Sequence, residues 1–328
     1  MKLFHPELFQ GSLNKKRYFE GWYFKHVSYD LSHVYAFIPG VSLTKTDPHS
    51  FIQVIDGITG KVTYLRYDLK DFSYGGGKFL LRVGRSVFTD TYIELDIRDE
   101  LALISGRIDY SNLVRYPRSL LAPGIMGWYS YVPLMECKHG IVSAHHDLRG
   151  TLTIDKKEVD FTGGAGYIEK DWGKSFPEAW IWLQCNNFTR EEASLSVSIA
   201  KIPWLGSFFV GFIAFLYVHG RFHIFATYNR SLISRLEYDR KALSMELRNS
   251  DHILDIKVIT RGSGVLRAPV EGKMSRRIKE SIDSEVFVRL RDRSGNVLFE
   301  DRGKRAGLEV IEKIFEYLPG NSVHLPQA

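Results

Sequence analysis

The chain has 328 residues, a formal net charge of +6, and 44% hydrophobic, 25% charged and 13% aromatic residues. That balance excludes a disordered or coiled-coil chain and leaves room for two ordinary domains or one large β structure with a sizeable core. The basic residues are scattered, with Lys273, Arg276, Arg277 and Lys279 the nearest approach to a run, so a solvated surface is expected and no nucleic-acid partner.

From the N-terminus, the first residues lack the apolar core and cleavage site of a signal peptide and the composition of a transit sequence. An unprocessed cytoplasmic protein is expected, which the two cysteines, Cys137 and Cys185, suit, since they offer no disulfide framework. Residues 18 to 29 (YFEGWYFKHVSY) read as a first long strand, followed by strand-like runs at 33 to 38, 51 to 56, 61 to 67, 79 to 83, 91 to 97 and 101 to 109. Turn clusters such as Asp56-Gly57 and Gly75-Gly76-Gly77 separate them. Short strands without intervening helical periods predict an antiparallel sandwich or barrel.

Tyr116 to Cys137 (YPRSLLAPGIMGWYSYVPLMEC) breaks this rhythm with prolines and glycines. It is too aromatic for a solvated loop, and ordered connections of this kind often carry function or cap a cavity. A strand to about His146 and a hairpin over 148 to 161 around Asp155-Lys156-Lys157 close the first half. A second strand series runs from Gly164 to about residue 302, so the expected division is an N-terminal β domain over 1 to 162 and a C-terminal β domain over 163 to 328. Within it, residues 202 to 220 (IPWLGSFFVGFIAFLYVHG) form the most apolar segment. Its continuous apolar run of about 15 residues falls short of a spanning helix, so paired buried strands or an interfacial hairpin are expected. Only Arg305 to Leu318 looks helical, with Leu308, Ile311, Ile314, Phe315 and Leu318 recurring at three and four before Pro319-Gly320.

The richest stretch is Gly163 to Phe188 (GGAGYIEKDWGKSFPEAWIWLQCNNF). Extended backbone places Tyr167, Glu169 and Asp171 on one face with Lys170 and Trp172 on the other, and sets Trp180, Trp182, Gln184 and Asn186 on a common face. A carboxyl among indoles is a candidate proton donor, because desolvation raises its pKa, although capping a turn or pairing with a base would use the same residues. Upstream, Glu20 and Trp22 share a face, and Glu136 follows Trp128, Tyr129 and Tyr131. Aromatics punctuated by single polar groups suit a mostly apolar pocket. His139, His145 and His146 do not complete a zinc set and are read as hydrogen-bonded histidines, with a catalytic role for one of them left open. No nucleophile elbow, P-loop or dinucleotide fingerprint is present.

Taken together, YFEGWYFK (18 to 25), PGIMGWYSYVPLMEC (123 to 137) followed by HG (139 to 140), GYIEKDWGKSFP (166 to 177), WIWLQCNNF (180 to 188) and LRAP (266 to 269) resemble the tocopherol cyclase family. The resemblance implies two lipocalin-like antiparallel β domains, related to carotenoid hydratase-type proteins, and cofactor-free, metal-free closure of a prenylated quinol to a chromanol. Plant members carry Asn where this chain has Asp171. Such a reaction needs alkene protonation, capture of the cation by the phenol oxygen, and aromatic faces to stabilise positive charge. On this reading Asp171 or Glu169 donates the proton, with Glu20 next. Trp22, Tyr129, Glu136, Tyr167, Trp180 and Trp182 line the substrate site, and Gln184 and Asn186 orient the quinol. The expected partner is a hydrophobic prenylated small molecule, with peripheral membrane contact. The alternative is a non-catalytic carrier of an isoprenoid or other lipidic ligand.

Overall fold

The computed structural model describes residues 2–133 and 135–318. The chain divides into two compact units, the first made of Met1–Phe176 with Gly264–Ile278, the second of Pro177–Ser263 with Lys279 onward.

Unit 1 is built on β1 (Arg17–Val27), β2 (Val34–Thr44), β3 (His49–Asp56), β4 (Val62–Asp68), β5 (Phe72–Tyr74), β6 (Leu81–Val83), β7 (Ser86–Phe88), β8 (Tyr92–Asp99), β9 (Ala102–Val114), β10 (Cys137–Ile154), β11 (Lys157–Asp160) and β12 (Ala165–Gly173). They form an antiparallel sheet in the order β4-β3-β2-β1-β12-β10-β9-β8-β7-β6-β5, with β11 beside β10. The outer strands alternate buried and exposed residues as a one-sided sheet should, whereas β1, β2 and most of β12 are buried on both faces. The core gathers Trp22, Phe24, Phe37, Phe88, Ile168 and their neighbours on one side of the sheet. Gly166 is required there, because a Cβ at this position would stand 2.1 Å from Nε2 of the fully buried His146.

Unit 2 is built on β13 (Trp180–Cys185), β14 (Ala193–Trp204), β15 (Ser207–Val218), β16 (Arg221–Ala226), β17 (Leu232–Tyr238), β18 (Ala242–Arg248) and β19 (His252–Ile259), followed after β20 (Gly264–Val270) by β21 (Lys273–Asp292) and β22 (Val297–Val310). Its sheet order is β16-β15-β14-β13-β22-β21-β19-β18-β17, all antiparallel. Ile181, Leu183, Leu195, Val197, Phe225 and Leu254 belong to its core.

The all-β expectation holds, with three differences. The division near 162 misplaces β12, which pairs with β1 and β10 and completes the sheet of unit 1. The span after Thr260, given no strand from sequence, contains β20 and the start of β21, and Gly264–Ile278 returns to unit 1, where Arg267 and Gln53 exchange hydrogen bonds of 2.8 and 3.0 Å. The predicted terminal helix is instead the end of β22 and a short 3-10 segment, Glu312–Tyr317. Pairing with β13 and β21 overrides the helical spacing of Leu308 and Ile311. No helix among the described residues is long and apolar enough to cross a membrane.

Candidate functional site

The pairing of β10 with β12 sets His139 directly opposite Asp171 and Ile141 opposite Glu169. Residues directly opposite in an antiparallel pair share a face, so a histidine and an aspartate far apart in sequence become neighbours. Tyr167, Glu169 and Asp171 lie on this face, turned away from the core that takes Ile168 and Trp172. The period-two reading of β12 therefore sorts its side chains correctly.

His139 Nδ1 donates to Asp171 Oδ1 at 2.9 Å, and its Nε2 stands 3.7 Å from Glu169 Oε2. Tyr167 Oη donates to Glu169 Oε2 at 2.6 Å. The backbone N–H of His139 donates to Met126 Sδ, 3.1 Å away, so the Pro-rich segment runs alongside β10 at this residue. Cys137 Sγ lies 3.9 Å from Asp171 Oδ1. Lys25, fully buried, occupies the position opposite Tyr167 on the same face. Burial alone would lower the His139 pKa, but the carboxylates of Asp171 and Glu169 outweigh it and hold the imidazole up at about 9. At neutral pH His139 is an imidazolium held between two carboxyl groups.

The donor atoms of His139, Glu169 and Asp171 fall within 4.8 Å of one another, a spacing that a metal ion could bridge. In the arrangement present, the lone pair of His139 Nδ1 is committed to a proton shared with Asp171, and the cluster is read as a proton-holding group.

Glu20 and Trp22 do not join it. Both are fully buried on the opposite, core-facing side of β1. Glu20 pairs with Lys170, accepts from Tyr18 Oη, and takes the backbone N–H groups of Gln10 and Gly11 at 2.7 and 3.0 Å. Trp22 Nε1 donates to the Glu7 carbonyl at 2.9 Å, and the Lys170 ammonium sits 4.5 Å from the Trp22 ring. These contacts engage the carboxylate and the indole within the core of unit 1, on the face of the sheet opposite His139, Glu169 and Asp171. Tyr129 lies in the 3-10 turn Gly127–Tyr131, its ring stacked 4.1 Å from Trp128, and Glu136 directly precedes β10, its carbonyl accepting the Lys174 N–H at 2.8 Å.

In unit 2, Trp180, Trp182, Gln184 and Asn186 share the face of β13 and its extension that points away from Ile181 and Leu183, and all four are buried. Trp180 Nε1 donates to Glu309 Oε2 at 2.5 Å, and Gln184 Nε2 donates to Asn186 Oδ1 at 3.1 Å. Gly307, opposite Gln184, leaves room for the Trp182 ring, which a Cβ there would meet at 2.6 Å. Sequence reading missed Glu309, because β22 looked helical, and gave His139 no partner, because its partner arrives through strand register. A sharper signal was available in the pairing of two acid- or His-bearing strands of equal parity.

Residues 109–311 match the model of a family described as tocopherol cyclase-like. The chain belongs to the tocopherol cyclase-like family. A probable tocopherol cyclase, chloroplastic, of Oryza sativa subsp. japonica is 24% identical over 196 residues, covering 56% of this chain and 41% of the rice protein. A tocopherol cyclase, chloroplastic, of Zea mays is 25% identical over 195 residues with the same coverages of 56% and 41%. The matched region thus spans about two fifths of these curated relatives. Among solved structures, CghA with Sch210972 is similar at a TM-score of 0.58 and 13% identity, over 90% of this chain and 88% of that one. This likeness is one of fold.

Proposed function

We propose that the chain is an enzyme of cyclase type that closes a prenylated quinol, or a closely related isoprenoid phenol, by proton transfer at the His139, Asp171, Glu169 and Tyr167 cluster. Family membership supports the reaction class, and the observation that carries the residue assignment is the His139–Asp171 hydrogen bond with Glu169 beside Nε2. In ring closure one C–H bond forms at the alkene, one C–O bond forms, and the phenol O–H is lost. The substrate therefore takes one proton and returns one. A compact set of groups sharing a proton can do both, with Asp171 orienting the imidazolium and Glu169, hydrogen-bonded by Tyr167, close enough to relay. The donor role expected for Asp171 or Glu169 alone becomes a role of the cluster, with the proton resting on His139. The indoles of Trp180 and Trp182 and the amides of Gln184 and Asn186 suit cation stabilisation and quinol binding. They are proposed for substrate contact on their chemistry alone.

The test is incubation with a prenylated hydroquinone, followed by chromatography and mass measurement. Conversion gives a product of unchanged mass and altered retention. His139→Gln and Glu169→Gln are each expected to lower the rate by about a hundredfold or more. Full activity in both variants would remove the cluster from the scheme, and recovery of only unchanged, bound ligand from the unaltered protein would favour the carrier.

A further inference from the structure

From Ala193 to Val197 strand β14 is buried on both faces, yet only one face is apolar. Ala193, Leu195, Val197 and Ile199 enter the core of unit 2, while Ser194, Ser196 and Ser198 alternate with them on the other side. A strand covered on both faces is ordinarily a continuous apolar run. Ser194 and Ser196 are 0% and 1% exposed, and among the described residues neither hydroxyl has a hydrogen-bond partner. Leaving a buried hydroxyl unbonded costs free energy that alanine at the same position would not, so folding alone does not account for two of them on one face.

Strand register sets these hydroxyls among groups suited to an aromatic ligand. Ser196 stands directly opposite Gln184 on β13 and Phe215 on β15, and Ser194 stands opposite Tyr217. Residues so paired share a face, with Cβ atoms about 5 Å apart. Gln184 is bonded to Asn186, and Phe215 is fully buried on this face, its ring edge to face with that of Phe222 at 5.3 Å. Ser194 and Ser196 lie about 7 Å apart along the strand, a spacing that oxygen substituents on opposite sides of one benzene ring can bridge. The cross-strand rows through Ser194, Ser196 and Ser198 hold no Lys or Arg and two carboxyls, Glu309 and Glu280. An anionic ligand finds no countercharge on these rows, whereas a neutral one needs none.

We propose that Ser194 and Ser196 recognise the oxygen substituents of a neutral phenolic ring bound on this face of unit 2, and so determine specificity for a ligand with free hydroxyls. A serine hydroxyl both donates and accepts, which matches a phenol group by group. A site built to hydrogen-bond hydroxyls also rejects an analogue that lacks them, because its own polar groups then stay unpaired. The inference rests on the reading of the ligand as a prenylated quinol and adds to it the residues of β14 that read the ring rather than the chain.

The test measures binding without turnover, by titration calorimetry on the full chain. One probe is hexylhydroquinone, which keeps both ring hydroxyls and has no alkene to protonate; the other is hexylbenzene, which lacks the oxygens. The double variant Ser194→Ala, Ser196→Ala is expected to raise the Kd of hexylhydroquinone about tenfold and to bind hexylbenzene as tightly as the parent or more so. Without ligand its thermal unfolding midpoint should equal or exceed the parent's, since no hydrogen bond among the described residues is removed. An unchanged Kd for hexylhydroquinone, the result expected if buried water alone completes these hydroxyls, would overturn the proposal. So would failure of the parent to bind hexylhydroquinone, an equal loss of affinity for both probes, or a lowered midpoint of the unliganded variant, which would make the hydroxyls structural. Serine-dependent binding in a protein that leaves a prenylated hydroquinone unconverted would uphold the recognition site and remove the cyclisation; conversion together with serine-independent binding would do the reverse.

Discussion

At the scale of single residues, the decisive group is His139. Its pKa of about 9 in the folded protein lies above the ordinary 6.5, so the folded state binds a proton that the unfolded state releases sooner. The resulting stability is fully present below about pH 6.5 and is lost as pH rises through about 9, amounting to at most about 3 kcal/mol. Asp171→Asn removes the nearest charge and lowers this pKa, shifting the loss to lower pH. Unfolding midpoints of the two proteins measured between about pH 6 and 10 should therefore diverge most at the acidic end of that range and converge above about pH 9. Parallel curves would show that Asp171 does not hold the His139 proton. The histidine was visible in the sequence, and so were the two acids. Their convergence was not, because it depends on which residue of β10 falls opposite which residue of β12.

At the scale of elements, β1 and β12 each divide their polar residues between faces. One side of β12 carries Tyr167, Glu169 and Asp171 into the candidate site, while the other sends Lys170 to Glu20 in the core of unit 1. The ammonium also donates to the Leu8 carbonyl, and Glu20 receives the N–H groups of Gln10 and Gly11, so this pair fastens the N-terminal segment onto the sheet. Lys170→Met should destabilise the protein by about 3–5 kcal/mol, because it strands a buried carboxylate, and the further change Glu20→Gln should recover part of the loss. Urea unfolding of the single and double variants measures both, and a Lys170→Met protein as stable as the parent would contradict the assignment. Alternation in β12 was legible because period two needs no tertiary information. That Glu20 belongs with Lys170, and not with Asp171, followed only once β1 was paired with β12 in a particular register.

At the scale of the whole molecule, the cluster is read as holding a proton, although its three donor atoms lie close enough to bracket a metal ion. Exhaustive dialysis against a chelator should therefore leave conversion of a prenylated hydroquinone unchanged, with metal content followed by elemental analysis. Loss of activity restored by one divalent cation would replace the proton reading with a metal one.

The sequence by itself determined the all-β class, the antiparallel strand rhythm, the family, and the sorting of Tyr167, Glu169 and Asp171 from Lys170 and Trp172. Each of these rests on local spacing or on a run of residues read in order. Only the tertiary structure decided that β12 closes the sheet of unit 1, that Gly264–Ile278 returns to that unit, that Leu308 and Ile311 lie in and beside a strand, and that His139 meets Asp171. The physical reason is common to all four. Strand pairing joins residues far apart in the chain, and its register is set by the burial of whole faces, which no short window of sequence contains.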